Sequence, residues 1–213
     1  MVAHVPLLEI DGLTWLTHGV RQRLSPGPLT LDAEQAAVVV AGDPAAGEAF
    51  ADVLLGLEAP HEGRLRLDGR DVTALSTADR AIGLVPAGGG LLPHLTVKRN
   101  LELAARKDLA LVSHGQVAYM SGWMDIQGFM RAKPHELAHD ERLTVALARV
   151  MCRPMPPKMV VVEDRTGCEP CHAAVSRALH SKLAVLIVTD DGTRVTSLAS
   201  SARVWEITDA DQP

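Results

Sequence analysis

The chain has 213 residues, of which 47% are hydrophobic and 22% charged, a balance and length that suit one sizeable folded domain. Its formal net charge is −5 and its aromatic content 3%, which argues against a nucleic-acid-binding protein, because such proteins need a basic face or stacking aromatics. The N-terminus lacks a secretion-signal pattern, and no apolar run approaches the ~18 residues of a membrane span. We therefore expect a cytoplasmic protein, or one held at the membrane by a partner.

The first part of the chain is predicted to form strands and turns. Strands are expected near residues 7–15, 28–33 and 36–42, and the last is a valine-rich run typical of a strand buried on both faces. A turn over 42–49 then leads into a helix over 48–57. The alternating residues around Asp68-Gly69 predict a β-hairpin over 63–72.

The second part alternates strands with helices, which indicates a parallel α/β sheet. Strands are expected from residue 82, at 158–164, at 183–191 and, as an edge strand, at 202–208. Helices are expected through most of 96–131 and at 141–152 and 173–181. Three glycines, Gly88 to Gly90, interrupt the pattern and predict a flexible loop.

Four further segments occur in order along the chain: LEAPHEGRLRLDGRDVTALSTADRAIGLV (57–85), LLPHLTVKRNLELA (91–104), HEL (135–137) and VALARV (145–150). In this order they resemble the ABC-type ATPase family, and the likeness is collinear from about Leu7 to Ile207. The resemblance implies one domain over 1–213 with a P-loop NTPase-like α/β fold. It would comprise an N-terminal antiparallel β part, a parallel-sheet core and a helical subdomain over about 97–140. It also implies dimers that hold ATP between the phosphate loop of one subunit and the signature helix of the other.

The family's phosphate loop has the form G-x-x-x-x-G-K-[ST], in which backbone amides and the lysine hold the phosphates and the hydroxyl holds Mg²⁺. The aligned residues here keep both glycines, Gly42 and Gly47, but place Glu48 at the lysine and Ala49 at the hydroxyl. A lost charge-assisted hydrogen bond is worth about 1.5–3 kcal/mol. Two like charges at about 4 Å add a repulsion of roughly 4 kcal/mol at an effective dielectric near 20. Triphosphate binding is therefore expected to be much weaker than in an intact loop. As a purely structural role, Glu48 would suit the first turn of a helix.

The family's other nucleotide-handling positions are also altered. The glutamine that senses Mg²⁺ and water aligns with Ala87, and the switch histidine aligns with Asp190. The signature L-S-G-G-Q aligns with residues 137–141, where the degenerate positions are Ala138, His139 and Asp140; Asp140 is alternatively the N-cap of the next helix.

The family's catalytic Asp-Glu pair appears inverted, as Glu163-Asp164. Glu163 remains a candidate divalent-metal ligand. Asp164 would hold its carboxylate about one methylene short of the attacking water, and a misplacement of that size costs about a hundredfold in rate. The family's adenine-stacking aromatic falls near Thr17 or His18, and nearby Trp15 is expected to be a packing residue instead.

Residues 168–172 read Cys-Glu-Pro-Cys-His, a pattern of haem attachment and of half a zinc site. Cys168, Cys171 and His172 are therefore candidate metal ligands or a redox-sensitive pair, although a second ligand pair at standard spacing is missing. Together with Cys152 they form no disulfide framework. The Met- and aromatic-rich segment 118–130 suits either a partner surface, as where the family receives its permease, or ordinary helix packing.

We interpret the chain as a degenerate ABC-type domain that does not hydrolyse ATP and serves as a structural or regulatory pseudo-ATPase. No cofactor is expected, and ATP with Mg²⁺ would bind only if this interpretation is wrong. Expected partners are a second copy or another cassette, with a membrane permease as a further candidate and no nucleic acid. Two alternatives stay open, namely a functional transporter ATPase with divergent motifs and a metal or redox module at residues 168–172.

Overall fold

The computed structural model describes residues 4–108, 111–112, 114–164, 172–191 and 202–211. Its strands are β1 (Leu8–Thr17), β2 (Val20–Ser25), β3 (Leu29–Leu31), β4 (Ala36–Ala41), β5 (Glu62–Leu67), β6 (Arg70–Asp71), β7 (Ile82–Val85), β8 (Arg106–Asp108), β9 (Leu111–Val112), β10 (Met159–Asp164), β11 (Ala184–Thr189) and β12 (Arg203–Asp209). Its α-helices are α1 (Pro44–Leu55), α2 (Val97–Ala104), α3 (His114–Trp123), α4 (His139–Met151) and α5 (His172–His180). The predicted α/β fold class is confirmed.

One large mixed sheet runs in the order β6-β5-β1-β2-β12-β4-β11-β10-β7, with β3 paired to β1. The N-terminal strands are antiparallel, and the predicted hairpin forms between β5 and β6. Its turn has positive φ at Asp68 (52°) and Gly69 (72°), as a two-residue hairpin loop requires. Strand β12 pairs with β2 on one side and β4 on the other, so the prediction of an edge strand is wrong. It joins the antiparallel part to the parallel core.

In the parallel core, β4, β11, β10 and β7 lie side by side and all end at the same edge of the sheet. Side chains alternate between two apolar layers, as the two-residue period of a strand dictates. Val160 and Val162 face the layer of α2 to α5, whereas Val161 faces α1 and the antiparallel strands. Burial on both faces explains why these strands are almost wholly aliphatic.

Helix α1 is held at its carboxyl end by a buried guanidinium. Arg80, only 3% exposed, donates to the carbonyls of Val53 at 2.5 Å and Leu54 at 2.9 Å. Gly56 follows the helix with φ 77°, and a Cβ there would lie 2.6 Å from Arg80 Nε. Both the left-handed backbone and the close approach require glycine, so the register of α1 on the sheet is fixed.

The stretch predicted to be mostly helical contains α2 and α3, separated by the small β8–β9 pair. Helix α4 follows after short 3-10 turns and packs on α2, α3 and α5. The extent of a helical subdomain over about 97–140 stays a prediction. Within the described ranges, none of the helices is long and apolar enough to cross a bilayer.

Candidate functional site

The edge where the parallel strands end gathers most of the residues singled out in the sequence. A cavity of about 10 Å³ lies there, lined by Ala41, Pro44, Gly47, Glu163, Val188, Thr189 and Asp190. That volume holds about one water molecule. The phosphate loop, the end of β10 and the end of β11 are thus brought together, as the resemblance implied. Glu48 and Ala49 lie outside the lining, and Glu48 is exposed.

Helix α1 begins at Pro44, four residues earlier than predicted, so the loop expected over 42–49 is largely helical. Asp43 is the N-cap in extended conformation (φ −110°, ψ 121°), and its Oδ1 accepts from the Ala45 amide at 3.0 Å. The Asp43 carbonyl accepts from the amides of Ala46 at 3.0 Å and Gly47 at 3.3 Å. Aspartate at the N-cap followed by proline at N1 is a favourable helix start. Asp43 therefore already accepts from the amides of Ala45, Ala46 and Gly47, the first backbone donors of α1.

The early start of α1 also corrects the structural role expected for Glu48. Glu48 is the fifth residue of the helix, and the first turn contains no acidic residue. The stabilisation of the helix amino terminus by a negative charge thus comes from Asp43 rather than from Glu48.

Close packing explains why residue 47 is a glycine. A Cβ at Gly47 would lie 3.0 Å from Ala41 Cβ and 3.1 Å from Val188 Cγ1, whereas a Cβ at Gly42 would meet nothing within 4 Å. Survival of the second glycine therefore reflects the close approach of α1 to the sheet. It is not by itself a sign of phosphate binding.

The two carboxylates at the end of β10 have different surroundings. Glu163 Oε2 accepts a hydrogen bond from the Ala87 amide at 3.2 Å, which ties the position of the family's glutamine to β10. Asp164 is 7% exposed. On the neighbouring strand, Thr189 Oγ1 accepts from the Asp191 amide at 3.2 Å, and Asp190 is exposed at the cavity mouth. Sequence reasoning missed Thr189, although its place at the end of a buried strand is the signal that could have found it.

The three glycines after Ala87 form a defined turn instead of a flexible loop. The Gly89 amide donates to the Pro86 carbonyl at 2.8 Å, and Arg149 of α4 donates to the Gly90 carbonyl at 2.6 Å. The φ angles of Gly88, Gly89 and Gly90 are 80°, 87° and 60°, a run of left-handed conformations that only glycine adopts readily. Burial, followed by the charge of nearby Arg153, lowers the pKa of Arg149.

At the signature position, α4 begins at His139 with Ala138 as its N-cap, so the alternative prediction that Asp140 is the N-cap is wrong. The Ala138 amide donates to the Glu141 carboxylate at 2.8 Å, which fixes the helix start two positions earlier. Asp140 and Glu141 both lie in the first turn. This helix start presents acidic groups and lies outside the cavity lining of its own chain.

Trp15 is a packing residue, as expected. It is 1% exposed, its ring centroid lies 4.9 Å from that of Phe50, and its Nε1 donates to the Ala46 carbonyl at 3.3 Å. Trp15 thus packs against the first turn of α1, and its buried ring does not lie where it could stack on a base.

The metal-site prediction at residues 168–172 falls largely outside the described residues. Cys168 and Cys171 are not among them, and His172 is described only as the backbone start of α5. In the part of the chain that is described, no group of three or more His, Cys, Asp or Glu side chains could hold a metal ion, so Glu163 has no such partners there.

A parallel sheet whose central strand leads directly into a helix, with carboxylates at the ends of the neighbouring strands, defines a P-loop NTPase-type nucleotide-binding fold. The chain belongs to the ABC transporter family, whose model matches residues 29–163. The fold is that of solved cassettes. An ATP-binding cassette of an ABC transporter in its ADP conformation superposes with a TM-score of 0.74 at 14% identity, covering 96% of this chain and 90% of that one. The cbiO1 protein of Clostridium perfringens superposes with a TM-score of 0.75 at 16% identity, covering 96% of this chain and 88% of that one.

Curated relatives carry transport names. The probable sulfate/thiosulfate import ATP-binding protein CysA of Chlorella vulgaris is 33% identical over 163 residues, covering 72% of this chain and 68% of the relative. The thiamine import ATP-binding protein ThiQ of Brucella abortus is 32% identical over 130 residues, covering 60% and 54%. ThiQ of Escherichia coli K12 is 28% identical over 185 residues, covering 86% and 75%.

These relatives correct one sequence-based expectation. They are named ATP-binding proteins, so the expectation of no cofactor is wrong for a member of this family. Two features of the site nevertheless disfavour Mg-ATP. The Ala45 amide at the start of α1 already bonds the Asp43 carboxylate, and Ala49 offers no hydroxyl to a metal.

Proposed function

We propose that the chain is an ATP-binding-cassette subunit of a transporter complex whose own nucleotide site does not hydrolyse ATP. ATP, the nucleotide in the names of its relatives, is the ligand we assign to this site. It binds weakly, in competition with Asp43, and the subunit has a structural or regulatory part in the complex.

The observation that carries the proposal is the cap of α1 by Asp43. The carboxylate accepts from the Ala45 amide at 3.0 Å and therefore sits where a helix amino terminus would otherwise receive an anion. A phosphate entering this place has to displace a neighbouring negative charge and unwind the first turn of α1. Both requirements lower the affinity, since repulsion between like charges and loss of an N-cap are each unfavourable.

Loss of turnover is supported separately by the groups that surround the cavity. Phosphoryl transfer depends on positioning and on stabilising charge. Ala87 offers no side chain to a water, Asp190 adds negative charge at the cavity mouth, and Glu163 already accepts from the Ala87 amide. No cation lines the described cavity.

The assembly is proposed from the relatives. They are named import ATP-binding proteins, and one solved neighbour is part of an ABC transporter complex. We accordingly propose that this chain pairs with a second copy or another cassette and contacts a membrane permease. That would place it at the cytoplasmic side of a membrane.

A functional ATPase is the second candidate, and one observation favours it. Glu163 and Asp164 still put two carboxylates at the end of β10, next to the cavity. These could hold a divalent ion with a bound nucleotide.

Phosphate release from Mg-ATP separates the two candidates. The purified chain is assayed beside a Glu163→Gln/Asp164→Asn double variant prepared identically, which controls for contaminating ATPases. We expect the wild-type rate to equal that of the double variant. Release by the wild type that disappears in the double variant would establish the functional ATPase and remove our proposal.

A further inference from the structure

A second cavity lies at the opposite edge of the sheet, where β10 and β11 begin. Its volume is about 510 Å³, within the ~300–1,000 Å³ typical of small-molecule pockets. Strands of six residues separate the two edges by about 17 Å. The floor is apolar and well buried, formed by Leu7, Met120, Met151 and Leu183 at 4–8% exposure. This is a formed cleft between α3, the end of α4 and the end of α5.

Its wall carries the exposed aromatic surface of the molecule. The chain has three Trp, two Phe and one Tyr, all within the described residues, and only Tyr119 (66%) and Trp123 (37%) among them are exposed. Both line the cleft, with ring centroids 6.4 Å apart and an interplanar angle of 12°. Trp123 Nε1 already donates to the Arg177 carbonyl at 3.3 Å, so the indole offers its apolar ring and not its donor. Exposed stacked rings beside an apolar floor suit a flat aromatic ligand.

The rim of the cleft is cationic. Lys158, His180 and Lys182 line it, and none of the described residues that line it is acidic, although the whole chain has a net charge of −5. Lys158 is paired with Asp68, whereas Lys182 forms no ion pair with any described residue. His180 donates from Nδ1 to the Ser176 carbonyl at 2.7 Å, so Nε2 of the neutral ring is an acceptor and the ammonium of Lys182 is the donor that an anion would meet. A negative group at this rim would meet charge-assisted donors.

We propose that this cleft binds a small aromatic anion, with the ring against Trp123 and the negative group at Lys182. Apolar floor, aromatic wall and cationic rim are three separate features that converge on one ligand class. The assignment does not depend on the nucleotide site, which lies at the other edge of the sheet.

Three probes of the same shape and different charge test it: 1-naphthoate, 1-naphthamide and 1-naphthylmethylamine, titrated by calorimetry without nucleotide. We expect saturable one-site binding of naphthoate, binding of naphthamide that is roughly tenfold weaker for the loss of one charge-assisted contact, and still weaker binding of the amine. Absence of saturable naphthoate binding, or equal affinity for all three probes, would overturn the proposal.

Variants locate the bound probe. Lys182→Gln should weaken naphthoate by roughly tenfold while leaving naphthamide unchanged, since only the anion uses the charge. Trp123→Leu should weaken both, and its thermal unfolding profile verifies that it is folded. Lys133→Gln, an exposed lysine away from the cleft, is the matched control and should change neither. If Lys133→Gln weakened naphthoate binding as much as Lys182→Gln does, the attraction would be non-specific and the assignment would be wrong.

Discussion

The carboxylate of Glu163 accepts a hydrogen bond of 3.2 Å from the backbone amide of Ala87, so the end of β10 is tied directly to the segment that follows β7. Both residues stand at positions that handle nucleotide in the family this chain resembles. Here they bond each other, and Glu163 also lines the small cavity at this edge of the sheet.

Removing this link should loosen the segment after β7. A hydrogen bond to a charged acceptor is worth about 1.5–3 kcal/mol, so Glu163→Ala should speed hydrogen exchange at the Ala87 amide by about ten- to a hundredfold. Glu163→Gln keeps an acceptor and should give a smaller change. The Gly89 amide, bonded to the Pro86 carbonyl, is the internal reference. Unchanged exchange at Ala87 in Glu163→Ala would show that the contact is not maintained in solution.

The two glycines that align with the family's phosphate loop, Gly42 and Gly47, should respond very differently to substitution. Gly47→Val forces a side chain against Ala41 and Val188, and overpacking of this kind costs about 1–3 kcal/mol or more. Gly42→Val meets open space and should change the free energy of unfolding by no more than about 0.5 kcal/mol. Urea denaturation of both variants provides the comparison. If both variants lost the same free energy of unfolding, Gly47 would not be needed for the packing of α1.

Cys152 should be unreactive in the folded chain. Its side chain is fully buried, and burial raises the pKa of the thiol to about 12, so almost none is thiolate at pH 8. In a Cys168→Ser/Cys171→Ser background, iodoacetamide should label Cys152 only after unfolding in urea. Raising the pH from 9 towards 12 should also lower the free energy of unfolding, because the unfolded thiol ionises first. Rapid labelling of the native protein at pH 8 would contradict the buried environment.

The strands were largely predictable from sequence, because burial on both faces requires continuous apolar runs such as residues 36–41 and 184–189. The start of α1 was not predicted correctly. Asp43 followed by Pro44 is a local signal that favours a helix start, but the prediction followed the motif alignment of residues 42–49 instead. The interior place of β12 depends on pairing with two strands distant in sequence, β2 and β4. Hydrophobic pattern alone does not report such pairing.

The candidate site shows the same division. The family resemblance predicted that Ala87, Glu163 and Asp190 lie near one another. In the structure, Glu163 and Asp190 line one cavity, and the Ala87 amide donates to Glu163. The hydrogen bonds that Asp43 accepts from the Ala45, Ala46 and Gly47 amides depend on local geometry that no motif comparison contains. The predicted absence of hydrolysis stays a prediction until phosphate release is measured.

The most direct test of the account is the affinity for ATP in an Asp43 series. Asparagine at the N-cap keeps the acceptor and removes the charge, and glycine removes both at a cost of only a few tenths of a kcal/mol to the helix. If Asp43 competes with phosphate for the α1 amides, Mg-ATP should bind most weakly to wild type, about tenfold more tightly to Asp43→Asn and more tightly again to Asp43→Gly. Asp79→Asn, an exposed carboxylate elsewhere, should match wild type. Wild-type affinity equal to or tighter than that of Asp43→Gly would contradict the central claim.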